Sequence, residues 1–137
     1  MKITSTILAS VLFLAGSLVI SSQSLAQDAC GEESNSYKLM IHVNRNKPTK
    51  VTHKGKDADK FHVCNGDEVE WQIVGSGKQY WLNFLDGAPF SGGKKRNSNS
   101  NGKINVVIDG EAGPDGYKYD IGIVDGGVLD PRIIIGD

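Results

Sequence analysis

Two pairs of side chains that bind soft metals occur at strand spacing in the first half of the chain. Met40 and His42 are two residues apart, as are His62 and Cys64. Side chains two residues apart on a β-strand point to the same face, so each pair would present its ligands together. If the two strands pair with each other, the thioether, the imidazoles and the thiolate form a set suited to Cu(I). In the alternative that we prefer, Met40 and His42 face solvent and Cys64 belongs to a disulfide.

The N-terminal segment has the pattern of a secretory signal peptide. Lys2 supplies a positive charge, an apolar run follows over residues 7–20, and small residues lead up to Ala26. We therefore predict a signal peptide at 1–26 and a single mature domain at 27–137, in the periplasm or secreted. Because the apolar run is short for a membrane span, we expect no stable membrane insertion once the leader is removed.

In an exported protein, Cys64 has a possible bonding partner other than copper. The second cysteine of the chain, Cys30, also lies in the mature part. In an oxidising compartment such a pair usually forms a disulfide. A Cys30–Cys64 bridge would close a loop of about 34 residues, which corresponds to about 3–4 kcal/mol in the chain-entropy model. It would also remove the thiolate from the metal set.

Charge and motifs exclude several classes of function. The full chain has a formal net charge of −1, and loss of Lys2 with the leader makes it −2, so nothing indicates a nucleic acid or an anionic membrane as partner. The chain has no phosphate-binding loop, no dinucleotide motif and no local pattern of a nucleophile with its base. Asp125 and Asp130 do not have the spacing of a calcium loop. We therefore predict that the protein is not an enzyme.

Alternation of apolar and polar residues indicates an all-β fold. The clearest strand has Val69, Trp71 and Ile73 on one face, and helical periodicity is absent. About seven short strands with turn signals between them predict an antiparallel Greek-key β-sandwich. The polar stretches at 44–59 and 91–102 are interpreted as loops, the first with a short strand near its end. The predicted strands are Tyr37–Val43, Phe61–Cys64, Glu68–Ile73, Trp81–Leu85, Ile104–Ile108, Tyr117–Ile123 and Arg132–Ile135, and Lys50–His53 is the candidate short strand within the first loop.

Three segments, in this order, resemble the cupredoxins, the family of plastocyanin and azurin. The segment 61–71, Phe-His-Val-Cys-Asn-Gly-Asp-Glu-Val-Glu-Trp, is similar to the early core of that family. Pro89 and Phe90 resemble its middle segment, and Gly-Tyr-Lys-Tyr at 116–119 resembles the strand that leads into its ligand loop. The resemblance covers residues 37–137 and implies a cupredoxin-like sandwich.

The same resemblance argues against the family's copper chemistry. A blue-copper site needs two imidazoles and a thiolate. Matching Tyr117 and Tyr119 to the alternating aromatics of the family places Ile121 at the cysteine position. From there to Asp130 the chain has no Cys, His or Met. We therefore expect no cofactor, with copper at the Met40, His42, His62 and Cys64 set as the alternative.

Aromatic and basic residues offer contacts of other kinds. Tyr80 and Trp81, if exposed, could stack on sugars or on a partner. Lys94, Lys95 and Arg96 are consecutive cations that could meet an acidic partner, although a run of three is more often simply solvated.

The main hypothesis is a cupredoxin-like binding or interaction module without a standard copper site. Its partner would be a protein or a small ligand that the sequence does not name. A nonstandard copper or redox carrier and a sugar-binding sandwich are the alternatives. The expected contact surface consists of the loops Gly75–Gln79, Phe90–Gly102 and Asp125–Asp130.

Overall fold

Eleven β-strands form the regular structure of residues 30–112 and 115–136, which are the residues that the computed structural model describes. The predicted signal peptide at 1–26 lies outside the described residues. No helix among the described residues is long and apolar enough to cross a membrane. The strands are β1 (Ser36–Asn44), β2 (Lys47–His53), β3 (Lys56–Asp57), β4 (Lys60–Val63), β5 (Glu68–Val74), β6 (Tyr80–Phe84), β7 (Lys95–Asn97), β8 (Lys103–Val107), β9 (Tyr117–Ile123), β10 (Val128–Leu129) and β11 (Arg132–Ile135).

The strands form two sheets that pack on one shared core. The first sheet has the order β3-β2-β1-β5-β8, and the second has the order β4-β11-β9-β6-β7 with β10 added beside β9. Buried apolar side chains from both sheets make a single cluster. The predicted all-β sandwich is therefore confirmed.

Two features of the sheets differ from the prediction. The pairs β1–β5 and β4–β11 are parallel, so the sandwich is mixed and not wholly antiparallel. The structure also has more strands than the seven or so predicted, because β3, β7 and β10 are short pieces with no apolar alternation to mark them. The predicted loop at 91–102 contains β7, whose backbone pairs with β6. The predicted loop at 44–59 contains all of β2 and β3.

Large aromatic side chains fill the space between the sheets. Trp71 of the first sheet contacts Tyr119 of the second, with ring centroids 5.8 Å apart. Trp71 Nε1 donates a hydrogen bond to Tyr119 Oη at 3.1 Å, and Tyr80 Oη donates one to the Trp71 carbonyl at 2.9 Å. Phe84 stacks on Tyr119 at 4.8 Å. The three polar aromatics thus satisfy their buried polar groups across the sandwich.

A buried carboxylate organises the turn between β4 and β5. Asp67 is fully buried, and its two side-chain oxygens accept hydrogen bonds at 2.7 Å from the backbone amides of Asn35 and Cys64. The turn ahead of it has Gly66 at a φ of 89°, which favours glycine. These bonds hold Cys64 beside the N-terminal segment. The Cys30–Cys64 disulfide forms there, as predicted, with 5.6 Å between the Cα atoms.

Asp67→Ala is expected to destabilise the protein by about 3 kcal/mol, because two buried amides lose a charged acceptor. Chemical denaturation of the oxidised protein measures this. The exposed acid Asp86 provides the matched control, and Asp86→Ala should change the free energy of unfolding by less than about 0.5 kcal/mol. Equal effects of the two substitutions would contradict the role given to Asp67.

Candidate functional site

The four side chains of the predicted metal set do not come together. Met40 and His42 lie on β1 of the first sheet, on the face opposite the buried Leu39 and Ile41, whereas His62 lies on β4 of the second sheet. The two strands do not pair, and the sulfur of Cys64 is bonded to Cys30. The structure therefore does not bring Met40, His42, His62 and Cys64 together, because the sequence pattern does not specify which strands are neighbours.

The residues that resemblance assigns to a blue-copper site do not fit one either. Ile121, at the expected cysteine position, is fully buried and pairs with Leu82 and Leu129 in the second sheet. A hydrocarbon side chain there supplies no ligand. Over residues 30–112 and 115–136, no group of three or more His, Cys, Asp or Glu side chains is placed to hold a metal ion.

The outer face of the first sheet has a small ion-pair network instead. Glu70 contacts Lys38 and Lys103 at 3.2 Å each. Burial tends to raise the pKa of Glu70, but hydrogen bonds and charges from the two lysines outweigh it and hold that pKa below its ordinary value. The network ties β1, β5 and β8 together on the outer face of the first sheet.

Glu70→Gln should lower stability at neutral pH by up to about 1 kcal/mol, since the pairs are partly exposed. A carboxyl whose pKa is lowered on folding stabilises the protein above its unfolded pKa. The difference from wild type should therefore vanish as the pH falls through the lowered pKa. Thermal unfolding between neutral and acidic pH measures this, with Glu68→Gln on the same face as control. A difference that does not depend on pH would contradict the assignment.

Two of the predicted partner contacts are used inside the protein. Tyr80 is 1% exposed and hydrogen-bonded to Trp71, so it cannot contact a partner in the folded state. The guanidinium of Arg96 donates to the carbonyls of Ser91 and Gly92 and lies 4.7 Å from the ring centroid of Phe90. Lys95 and Arg96 therefore point to opposite faces, and residues 94–96 do not form one basic patch.

Trp81, the other aromatic residue predicted to contact a partner, is partly exposed on the second sheet. It points away from the core because its neighbours Tyr80 and Leu82 point inward. Gly122 faces it across the pair β6–β9, and a Cβ at that position would overlap the six-membered ring of Trp81. The indole thus lies directly on a strand backbone. Lys95 Nζ lies 5.4 Å from the ring centroid.

Polar side chains surround this ring on the same face. Asn83 follows Trp81 on β6, Asp120 lies opposite Asn83 on β9, and Asn97 lies opposite Trp81 on β7. Val128, 47% exposed, pairs with Gly122. We call the surface formed by Trp81, Asn83, Lys95, Asn97, Asp120, Gly122 and Val128 the Trp81 face.

A polar groove adjoins the Trp81 face at the end of the sandwich. It has a volume of about 370 Å³ and is bordered by the 76–79 loop and the 98–102 loop. Gln79 precedes Trp81 by two residues, and Asn99 follows Asn97 by two, so both loops continue directly from strands of the Trp81 face. We call this the end groove. It is lined by Ile73, Ser76, Gly77, Lys78, Gln79, Ser98, Asn99, Ser100, Asn101 and Gly102.

The 98–102 loop is held by its own hydrogen bonds. Asn99 Oδ1 accepts from the amides of Asn101 and Lys103 at 3.0 Å, and the Asn99 carbonyl accepts from Gly102 at 3.0 Å. Ser98 pairs with Tyr80 through its backbone and its hydroxyl. The structure therefore presents the polar side chains of the end groove from a defined turn.

Only part of the predicted contact surface lies at this end. The loops 75–79 and 98–102 meet in the end groove, and Val124, next to the predicted 125–130 loop, donates a hydrogen bond to the Gln79 carbonyl at 3.2 Å. Phe90 is buried against Phe84 and belongs to the core. Gly122, Asn83 and Asp120 were missed by the sequence reasoning. The isolated glycine between Ile121 and Ile123 was the available signal, since glycine within a strand often marks a close approach.

Comparison with known proteins identifies no family for this chain. No protein-family model matches the chain, and no curated protein matches it significantly. Among solved structures, the chain is similar to amicyanin in a reduced Cu(I) form of a mutant at pH 4, with 15% sequence identity and a TM-score of 0.42. The match covers 72% of this chain and 81% of that one. The assignment to the all-β sandwich class rests on the two sheets themselves.

The chain has two tryptophans, and the structure separates them sharply: Trp71 is fully buried and Trp81 is half-buried. Acrylamide or iodide should therefore quench only the Trp81 part of the fluorescence. Trp81→Phe should abolish the quenchable part, and Trp71→Phe, with folding checked by circular dichroism, should retain it. Quenching that survives in Trp81→Phe would show that the indole is not presented as described.

Proposed function

We propose that the protein is an exported, copper-free binding module that contacts its ligand through the Trp81 face and the end groove. Two observations support the proposal. The strands form a two-sheet sandwich, and the residues matched to a copper site lack suitable ligands. Ile121 fills the core where a thiolate would stand, and Cys64 is committed to a disulfide. The disulfide fits a protein of an oxidising compartment, such as the periplasm or the extracellular space.

The observation that carries the proposal is the way Trp81 is held. Glycine within a strand costs about 0.5–1 kcal/mol relative to alanine, and Gly122 leaves the strand without a packing side chain. An indole that remains partly exposed also gives up part of the burial that would stabilise the fold. Gly122 and the indole of Trp81 lie at one place, where together they form a flat aromatic surface. A binding site accounts for this arrangement, whereas core packing does not.

We further propose that the module is not catalytic. The titratable groups of the Trp81 face are Lys95 and Asp120, and on the adjoining loop Lys78. A rigid aromatic surface with polar neighbours is suited to holding a ligand in place.

Protein isolated from its native compartment tests the copper-free part of the proposal. Metal analysis should find no stoichiometric copper, and the absorption spectrum should lack the intense visible band of a copper–thiolate bond. Stoichiometric copper with that band would overturn the proposal.

A retention experiment tests the binding part. Immobilised wild-type protein should retain material from an envelope and extracellular extract that Trp81→Ala does not retain. Val107, 58% exposed on an edge strand of the first sheet, provides the control variant Val107→Ala, which should behave as wild type. Equal retention by all three proteins would remove the Trp81 face as the contact surface.

A further inference from the structure

We infer that the ligand is a neutral oligosaccharide, with one sugar ring stacked on Trp81 and the next ring in the end groove. This inference rests on the proposed function and names the ligand class of the same site. We favour a carbohydrate over a protein partner because of the polar and charged side chains around the Trp81 ring.

The first step is the pairing of a flat aromatic ring with polar neighbours. A pyranose ring presents a face of C–H groups with hydroxyls at its rim. Trp81 offers the matching indole face, and the adjacent side chains of Asn83, Asn97 and Asp120 offer an amide, a second amide and a carboxylate. These groups can donate to and accept from hydroxyls at the edge of a stacked ring.

The position of Lys95 is compatible with stacking. Its ammonium lies 5.4 Å from the ring centroid, a cation–π contact between an exposed lysine and a half-buried indole. Such a contact is weak at an exposed site, and the long side chain has freedom to move aside. A sugar ring can therefore replace it on the indole.

The second step is the composition of the end groove. Its side chains are mainly serine hydroxyls and carboxamides, and no carboxylate lines it. Hydroxyls and carboxamides both donate and accept hydrogen bonds, as sugar hydroxyls do. Lys78 is the one cation among the lining residues, and Asp120 on the Trp81 face would repel an acidic ligand. With Lys95 the site has two cations and one carboxylate, and its other polar groups are uncharged hydroxyls and carboxamides, which suit a neutral ligand.

The third step is the length of the site. Gln79 and Trp81 are two residues apart on an extended segment, so their Cα atoms are about 6.5 Å apart. A single ring stacked on Trp81 does not also fill the groove beyond Gln79. The site therefore extends over at least two sugar rings.

A protein partner fits the same surface less well. The centre of a protein interface is usually depleted of charged residues. Around Trp81, by contrast, lie Lys95, whose Nζ is 5.4 Å from the ring centroid, and Asp120. A sugar remains partly hydrated when bound, so it can bind beside these charged groups.

Titration of the mature, oxidised protein with defined sugars tests the inference, with Trp fluorescence and calorimetry as readouts. The probes are glucose, cellobiose, cellotetraose, maltotetraose, chitotetraose and mannotetraose, with tetragalacturonate as the acidic comparator. At least one neutral series should bind, with affinity rising about tenfold from one ring to the tetrasaccharide, which corresponds to 1.4 kcal/mol. Tetragalacturonate binding as tightly as the best neutral probe would overturn the inference.

Variants assign the two parts of the site. Trp81→Ala should abolish binding of every probe, whereas Gln79→Ala should weaken the tetrasaccharide and leave the monosaccharide unchanged. Gly122→Ala should displace the indole and weaken binding at least tenfold, and Gly31→Ala, at a site open to solvent, should not.

The outcomes separate this inference from the proposed function. If no probe binds but Trp81-dependent retention of extract material persists, the carbohydrate assignment is wrong and the binding module stands. If neither occurs, both are wrong.

Discussion

The hydrogen bonds around Trp71 determine how the two sheets face each other. Its indole donates to Tyr119 and its carbonyl accepts from Tyr80, so one residue of the first sheet fixes two strands of the second. With Tyr80 and Tyr119 pointing inward, the alternation along β6 and β9 directs Trp81 and Gly122 outward. The exposed surface is thus a consequence of the buried contact.

Burial also keeps these contacts intact over a wide pH range. Removal from water raises the pKa of Tyr80 and of Tyr119 above the ordinary value of 10.0. Both phenols therefore stay protonated under ordinary conditions, and both remain able to donate and accept hydrogen bonds. The Trp81 face on the outside of the second sheet thus depends on two buried phenols that do not change charge.

Local alternation predicted the longer strands but not their partners. Val69, Trp71 and Ile73 mark β5 in the sequence, whereas the parallel pairing of β5 with β1 depends on contacts that no local pattern contains. For that reason the sequence does not show that Met40 and His42 lie in a different sheet from His62. Tyr80 and Trp81 could have been separated from sequence, since Tyr80, Leu82 and Phe84 form one apolar alternation that leaves Trp81 on the other face.

The parallel pair β4–β11 has a consequence for the order in which the chain assembles. Within the described residues β4 is an edge strand with β11 as its sheet partner, and Gly136 extends the contact through a hydrogen bond to Val63 at 2.8 Å. A chain that emerges from its N-terminus must keep β4 unpaired until β11 follows, and late, distant pairings slow folding. The bond from Cys64 to Cys30 can form earlier and restrains β4 meanwhile. Oxidation of Cys30 and Cys64 can therefore precede completion of the second sheet.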